Sequence, residues 1–165
     1  MSDYLKKNFF SNISIIIIIF CLDRISKLYV IFFNERSTSS DLFSSKFLNI
    51  NLIWNEGIAF GLMSFEQSFY YNILTLLIFV ITLVIIFLMF KSNGIEKLSY
   101  SMIIGGSFGN ITDRLYYSAV PDFIDLSINN FHWFIFNVAD IFITIGIIIM
   151  IMSEFKGNEL KNEAL

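Results

Sequence analysis

The chain alternates between long apolar runs and short clusters of polar residues. The clearest run, from Gln67 to Phe90, holds no charge and is bracketed by Glu66 and Lys91. A helix needs roughly 20 mostly apolar residues to cross a bilayer, so this run predicts a spanning helix over about 67–90. A first span is predicted over about 9–33. It is apolar from Phe9 to Leu22 and carries Asp23, Arg24 and Lys27 before the apolar Leu28 to Phe33. A third, over about 97–117, ends on Asp113 and Arg114, and a fourth, over about 134–153, contains Asp140. Two outer segments remain, about 34–66 and 118–133. In the first, Phe47 to Trp54 alternates apolar and polar residues through Asn49 and Asn51, the period of a half-exposed strand. Asn55-Glu56-Gly57 then reads as a turn.

Basic residues orient these spans. Lys6, Lys7, Lys91, Lys97, Lys156 and Lys161 flank one set of ends, and cytoplasmic loops carry the Lys/Arg excess. Both termini are therefore expected in the cytoplasm. The N-terminal lysines and apolar stretch imitate a secretory signal, but Phe20 precedes Cys21 and no Ala-x-Ala site follows, so the first span is read as uncleaved. Composition agrees with a membrane protein. The 165 residues are 56% apolar and 15% charged, against roughly 45–50% and 25% in soluble domains. So small a soluble domain has too much surface to hide that apolar content. One cysteine excludes an internal disulfide and a cysteine-based zinc cluster, and one histidine excludes a multi-histidine metal site. A net charge of −3 offers no basic surface for nucleic acid.

The polar residues at membrane depth need explaining. An ionisable group there costs at least about 2.5–3.5 kcal/mol and is a functional candidate by default. Asp140 is the sharpest. With a helix starting near Phe134 it would lie roughly 9 Å inside that end, at 1.5 Å per residue. Its partner would be Asp122 or Asp125, which follow Pro121 just outside span three. Two adjoining carboxyls share a proton, so one can activate water while the other protonates a reacting oxygen. Spacing does not choose between Asp122 and Asp125. Asp23 and Lys27 stand at i, i+4 and predict an intrahelical ion pair, either a staple with Lys27 snorkelling outward or a ligand contact. Gly105 and Gly109 give the spacing for close helix packing. Asn110 and Arg114 share a helix face, and the guanidinium suits a carboxylate or phosphate. Asn137 lies three residues before Asp140 on the same predicted helix face, where it can orient that carboxyl or a substrate backbone. His132 and Trp133 read as part of an interfacial aromatic belt. No nucleophile motif is present, and serine or cysteine chemistry lacks a base.

Four ordered blocks carry a resemblance. Asp23-Arg24-Ile25-Ser26-Lys27 resembles a D-Q-x-[ST]-K block, and Asn55-Glu56-Gly57-Ile58-Ala59-Phe60-Gly61 an N-x-G-x-A-F block. The run Gly105-Gly106-Ser107-Phe108-Gly109-Asn110-Ile111-Thr112-Asp113-Arg114, continued by Val120-Pro121-Asp122-Phe123, resembles G-G-x-x-G-N-x-x-D-R followed by V-x-D-F. Phe136-Asn137-Val138-Ala139-Asp140 matches F-N-x-A-D. In this order they resemble lipoprotein signal peptidase, the type II signal peptidase of bacteria. Arg24 stands where that family usually has Gln, and Pro121 where it usually has Val.

The resemblance implies an all-α integral membrane protein with four transmembrane helices and a small extracytoplasmic β-platform after the first. It implies an aspartic endopeptidase of the bacterial plasma membrane. Such an enzyme removes signal peptides from prolipoproteins immediately before a diacylglyceryl-bearing cysteine. The implied catalytic pair is Asp122 and Asp140. Asp23, Lys27, Asn55, Gly106, Asn110, Arg114, Asn137 and Ala139 fall on positions that support the site or touch substrate. No metal or cofactor is implied. The expected partners are a lipidated prolipoprotein and membrane lipids, with the chain a monomer. The rival expectations are a proton or ion relay through Asp140, or a structural subunit held together by its buried ion pairs.

Overall fold

Polar residues are few, and the helices find their neighbours through small residues and buried charges. The computed structural model describes residues 3–37, 42–57, 68–128 and 131–163. It contains helices α1 (Asp3–Arg36), α2 (Ser68–Lys91), α3 (Gly94–Tyr117) and α4 (Val138–Glu163). Four strands accompany them: β1 (Phe43–Ser44), β2 (Leu48–Asn55), β3 (Val120–Ile128) and β4 (Phe131–Phe136).

Helix α3 is the centre of the bundle and packs against α1, α2 and α4. Its glycines permit this. A Cβ at Gly105 would stand 2.9 Å from Ile19 Cβ on α1, and one at Gly106 only 2.6 Å from the Ala139 carbonyl on α4. A Cβ at Gly109 would collide with the Asp23 carboxylate. The close-packing expectation thus holds at both ends of the Gly105–Gly109 spacing. The α2–α3 connection is tight, with Gly94 at φ +57° opening α3. That left-handed conformation suits glycine, which lacks a Cβ to clash.

Helices α2 and α4 turn apolar surface outward. Their segments Tyr71–Lys91 and Val138–Lys156 are long and apolar enough to cross a membrane, with mean hydropathies of 3.3 and 2.1. Only 11% of the residues in either apolar window are buried in the protein. A soluble core helix would bury most of its apolar residues, so this surface calls for a hydrocarbon solvent.

The strands form one antiparallel sheet in the order β1-β2-β3-β4. The predicted strand over 47–54 is found as β2. The sheet is not confined to the segment after α1, however. Half of it comes from 118–133 and the residues just beyond, read from sequence only as an outer segment. The fourth helix accordingly begins at Val138 rather than near 134, because Phe134 to Phe136 are strand. Pro121 is accommodated near the start of β3, opposite Trp54 of β2, before β4 pairs on the other side at Ile124. There the missing N–H breaks no β4 ladder bond. Between Ile50 and Ile53 the β2 strand carries an extra residue relative to β3, where Ile124 and Asp122 are their partners. This bulge sits beside Asp122. Bulges bend a strand and re-aim its side chains.

Candidate active site

The site is assembled where α4 begins, under the edge of the sheet and against α1 and α3. Asn137 immediately precedes α4, and its side-chain Oδ1 accepts from the Asp140 N–H at 3.2 Å. In return Asp140 Oδ2 accepts from the Asn137 N–H at 3.0 Å. This reciprocal pairing is a capping box and satisfies two otherwise orphaned donors. Asp140 therefore lies in the first turn of α4, not 9 Å inside a helix. Asn137 acts from the cap rather than from a shared helical face. The next free amide, Ala139 N–H, donates to Asp23 Oδ1 at 2.9 Å. A carboxylate is favoured at a helix N-terminus, where the unsatisfied N–H groups carry partial positive charge.

Asn137 also reaches the second carboxyl. Its Nδ2 donates to Asp122 Oδ1 at 2.6 Å, and Asn55 Nδ2 donates to Asp122 Oδ2 at 3.0 Å. Asn55 is itself fixed, since its Oδ1 accepts from the Gly57 N–H at 3.1 Å. Asp140 Oδ1 accepts from Asn110 Nδ2 at 2.9 Å. The two carboxyls are thus joined through one residue, Asn137, and each oxygen receives one neutral N–H donor. Burial pushes the Asp122 carboxyl up from the ordinary 3.8 to about 6. The Asn55 and Asn137 donors oppose that rise, and the nearby Asp140 adds to it.

Asp125 goes elsewhere. Three residues beyond Asp122 on an extended strand it points to the opposite side. It is buried against Asn49, whose Nδ2 donates to Asp125 Oδ2 at 3.3 Å and to Ser127 Oγ at 3.1 Å. Asp122 and Asp140, by contrast, both line a cavity of about 740 Å³. Asn55 and Arg114 join them at its polar end, and Leu74 and Ile78 of α2 and Ile145 of α4 line its apolar remainder.

Behind Asp140 lies a closed ionic cluster. Lys27 Nζ donates to Asp23 Oδ2 at 2.8 Å, to Asp113 Oδ2 at 2.6 Å and to Asn110 Oδ1 at 2.8 Å. Asp23, Lys27 and Asp113 are 0% exposed. The i, i+4 pair is therefore real, but Lys27 points inward and does not snorkel. Its three donors are consumed, so it has none left for a lipid phosphate. Arg24 Nη1 closes the cluster on Asp113 Oδ1. Sequence reasoning gave neither Arg24 nor Asp113 a role. Only a contact from α1 to α3 reveals one, and the spacing along each helix carries no trace of it.

Arg114 lies one residue beyond Asp113 and faces the cavity. Its guanidinium stands 5.4 Å from the centre of the Tyr71 ring, and its buried Nε and Nη1 find no acceptor among the described residues. Gly106 and Ala139 serve as spacers, the first letting α3 approach the backbone of the second. Ala59, Phe60 and Gly61 of the second sequence block, and the side chains of His132 and Trp133, lie outside the described residues.

A helical bundle with two carboxyls, Asp122 buried and Asp140 half-buried, bridged on one cavity has the makings of an aspartic peptidase set in a membrane. Comparison with known proteins narrows the class. A family model described as signal peptidase (SPase) II matches residues 15–156. A lipoprotein signal peptidase of Pelagibacter ubique is 51% identical over 158 residues, covering 95% of each chain. One from Anaplasma marginale is 35% identical over 84% of this chain and 81% of its own. A solved bacterial membrane enzyme, determined by the in meso method at 2.3 Å, superposes with a TM-score of 0.75. That enzyme is 30% identical, and the match covers 92% of this chain and 91% of the other. The chain belongs to the signal peptidase II family, and is a hydrolase of bacterial membranes.

Proposed function

We propose that the chain cleaves the signal peptide from diacylglyceryl-modified prolipoproteins immediately before the lipidated cysteine, with Asp122 and Asp140 as the catalytic pair. The observation that carries this reading is the Asn137 bridge, which holds both carboxyls on one cavity through its backbone N–H and its side-chain amide. Family membership supports the substrate class, because relatives with 51% and 35% identity are lipoprotein signal peptidases.

The chemistry follows from the pair. The pair shares one proton, and Asp122, raised to about 6, is the member assigned it. Water gives a proton to Asp140 as its oxygen attacks the scissile carbonyl carbon. Asp122 gives its proton to the carbonyl oxygen, leaving a neutral tetrahedral diol. Asp140 then protonates the departing amine, and Asp122 recovers a proton as the carbonyl re-forms. The carboxyls end as they began. Arg114, with two buried N–H donors that find no acceptor among the described residues, is placed to hold a substrate carbonyl along the cavity. The apolar remainder, between α2 and α4, suits the acyl chains and the hydrophobic signal segment.

All four helices span the membrane in this reading, with both termini cytoplasmic and the sheet on the outer side. The buried charges of α1, Asp23 and Lys27, then lie toward its outer end, where α3 and α4 cover them. Lys6, Lys7, Lys91, Lys97, Lys156 and Lys161 fall on the cytoplasmic side, as basic residues do.

The test is cleavage of a lipidated prolipoprotein by the purified protein, with the product mass giving the scissile bond. Asp122→Asn and Asp140→Asn should each lower turnover by about 10²- to 10⁴-fold at normal abundance, since each removes a proton-transfer group. Full-rate processing by either variant refutes the pair. Equal rates on lipidated and unlipidated substrate would remove the substrate assignment and leave the pair standing.

A further inference from the structure

We propose that Thr144 is a specificity-determining residue, whose hydroxyl donates to an ester carbonyl of the diacylglyceryl group on the substrate cysteine. The inference rests on the proposed cleavage of lipidated prolipoproteins and deepens it.

Thr144 differs from the other threonines of the helices. A helical threonine hydroxyl ordinarily bonds a backbone carbonyl one turn back. Thr75 donates to the Tyr71 carbonyl at 2.9 Å, Thr82 to the Ile78 carbonyl at 2.8 Å and Thr112 to the Phe108 carbonyl at 2.7 Å. Thr144, the remaining threonine of the described residues, makes no such bond among them. It is exposed and lines the cavity, and no other described lining residue carries a hydroxyl. Its neighbours there are apolar, Ile141 and Ile145 on α4 and Leu74 and Ile78 on α2. A hydroxyl in apolar surroundings costs free energy until it is hydrogen-bonded. The matching ligand therefore brings an acceptor into the apolar part of the cavity.

The lipidated substrate carries one. Thr144 follows Asp140 by four residues on α4, so it lies roughly 6 Å further along the helix at 1.5 Å per residue. With the scissile amide at Asp140, a covalent path leads from its nitrogen through the cysteine side chain, the thioether sulfur and the glyceryl carbons to the first ester carbonyl. That path is long enough to cover one helical turn. The signal segment offers carbonyls too, but a peptide inside a bilayer satisfies them within its own helix. A diacylglyceryl thioether has no O–H or N–H of its own, so its ester carbonyls have no donor within the lipid. Thr144 supplies that donor, and the acyl chains run on between Ile145, Leu74 and Ile78.

The test compares two lipidated prolipoproteins. One carries ester-linked acyl chains and the other ether-linked alkyl chains of the same length, which keep the apolar bulk and lack both carbonyls. Values of kcat and KM are measured for the full-length protein and for Thr144→Val and Thr144→Ser. The parent should favour the diester by about three- to ten-fold in kcat/KM, the scale of one hydrogen bond, chiefly through KM. Thr144→Val keeps the shape and loses the hydroxyl, so its diester-to-diether ratio should collapse to about one. Thr144→Ser keeps the hydroxyl, so its ratio should stay within about two-fold of the parent.

A parent that processes diester and diether equally overturns the inference without recourse to any variant. So does a collapsed ratio in Thr144→Ser. An equal loss on both substrates in Thr144→Val assigns the hydroxyl to a peptide carbonyl and overturns it as well. The underlying reading fails differently. Cleavage by Asp140→Asn, or equal rates of the parent on lipidated and unlipidated substrate, removes the proposed function. A lipid-dependent parent that does not distinguish diester from diether removes the role of Thr144 alone.

Discussion

Two groups of acids lie side by side in this protein and are held in opposite ways. Asp23 and Asp113 are fully buried and bound to cations, Lys27 and Arg24, with no opening to the cavity. Asp122 and Asp140 line the cavity and, among the described residues, are bound to neutral amides from Asn55, Asn110 and Asn137. A carboxylate locked to a cation in a dry site cannot easily exchange its proton. One held by amides keeps its place and can still exchange it. The ionic cluster is thus a foundation, and the amide-held pair is the part able to react. Asn110 is the joint between them, accepting from Lys27 on one side and donating to Asp140 on the other.

The contrast can be broken from its foundation. Lys27→Met would leave Asp23 and Asp113 without their shared ammonium. Removing one partner of a buried pair costs about 3–5 kcal/mol. The unfolding midpoint in detergent should fall by roughly 10 °C, and cleavage should be lost with it. An unchanged midpoint would mean that the cluster is not the foundation.

A smaller insult tests the packing between the two groups. Gly109→Ala puts a methyl group into the Asp23 carboxylate, and Gly106→Ala puts one 2.6 Å from the Ala139 carbonyl. Each should cost about 1–3 kcal/mol by overpacking, measured as a lowered midpoint. Gly106→Ala should also reduce turnover, because it pushes on the helix end that carries Asp140. Asn137→Ala removes the cap and the bridge together. Its stability cost should be only about 0.5–2 kcal/mol, yet turnover should fall by about a hundred-fold. A loss of turnover no larger than the loss of folded protein would argue against the bridge.

The mildest test is by pH. Asp122 has a folded value of about 6 against the ordinary 3.8, so the folded state binds more protons than the unfolded state in that window. Stability should therefore fall as pH rises from about 4 to about 6 and flatten above it. If Asp122 supplies the reacting proton, kcat/KM should fall ten-fold per pH unit above about 6. Asn55→Ala removes a donor that favours the ionised form, which should move this limb to higher pH. A limb that stays in place in Asn55→Ala would assign it to another group.

The helices were legible because the bilayer imposes a length and a composition on them. The observed α2, Ser68–Lys91, lies within one residue of the span read from hydropathy. The β4 strand was not legible, because Phe131-His132-Trp133-Phe134-Ile135-Phe136 is as apolar as the helix it precedes. Hydropathy merges the two. The structure separates them because Asn137 caps a helix there and Asp125 pairs across to Ile135. Asp122 and Asp125 were equivalent by spacing. The pleat of β3, with the bulge opposite it in β2, turned one toward the cavity and the other toward Asn49.

By itself the sequence determined which residues had to be explained: a few charges in apolar runs, in an order that resembles one family. Hydrophobicity and local spacing are properties of neighbouring residues, so they can be read along the chain. Only the tertiary structure decided the partners. It joined Arg24 to Asp113 across 89 positions, Ala139 to Asp23 across 116 and Asn55 to Asp122 across 67. A buried charge takes its role from the group that neutralises it, and in this chain that group lies mostly on another element.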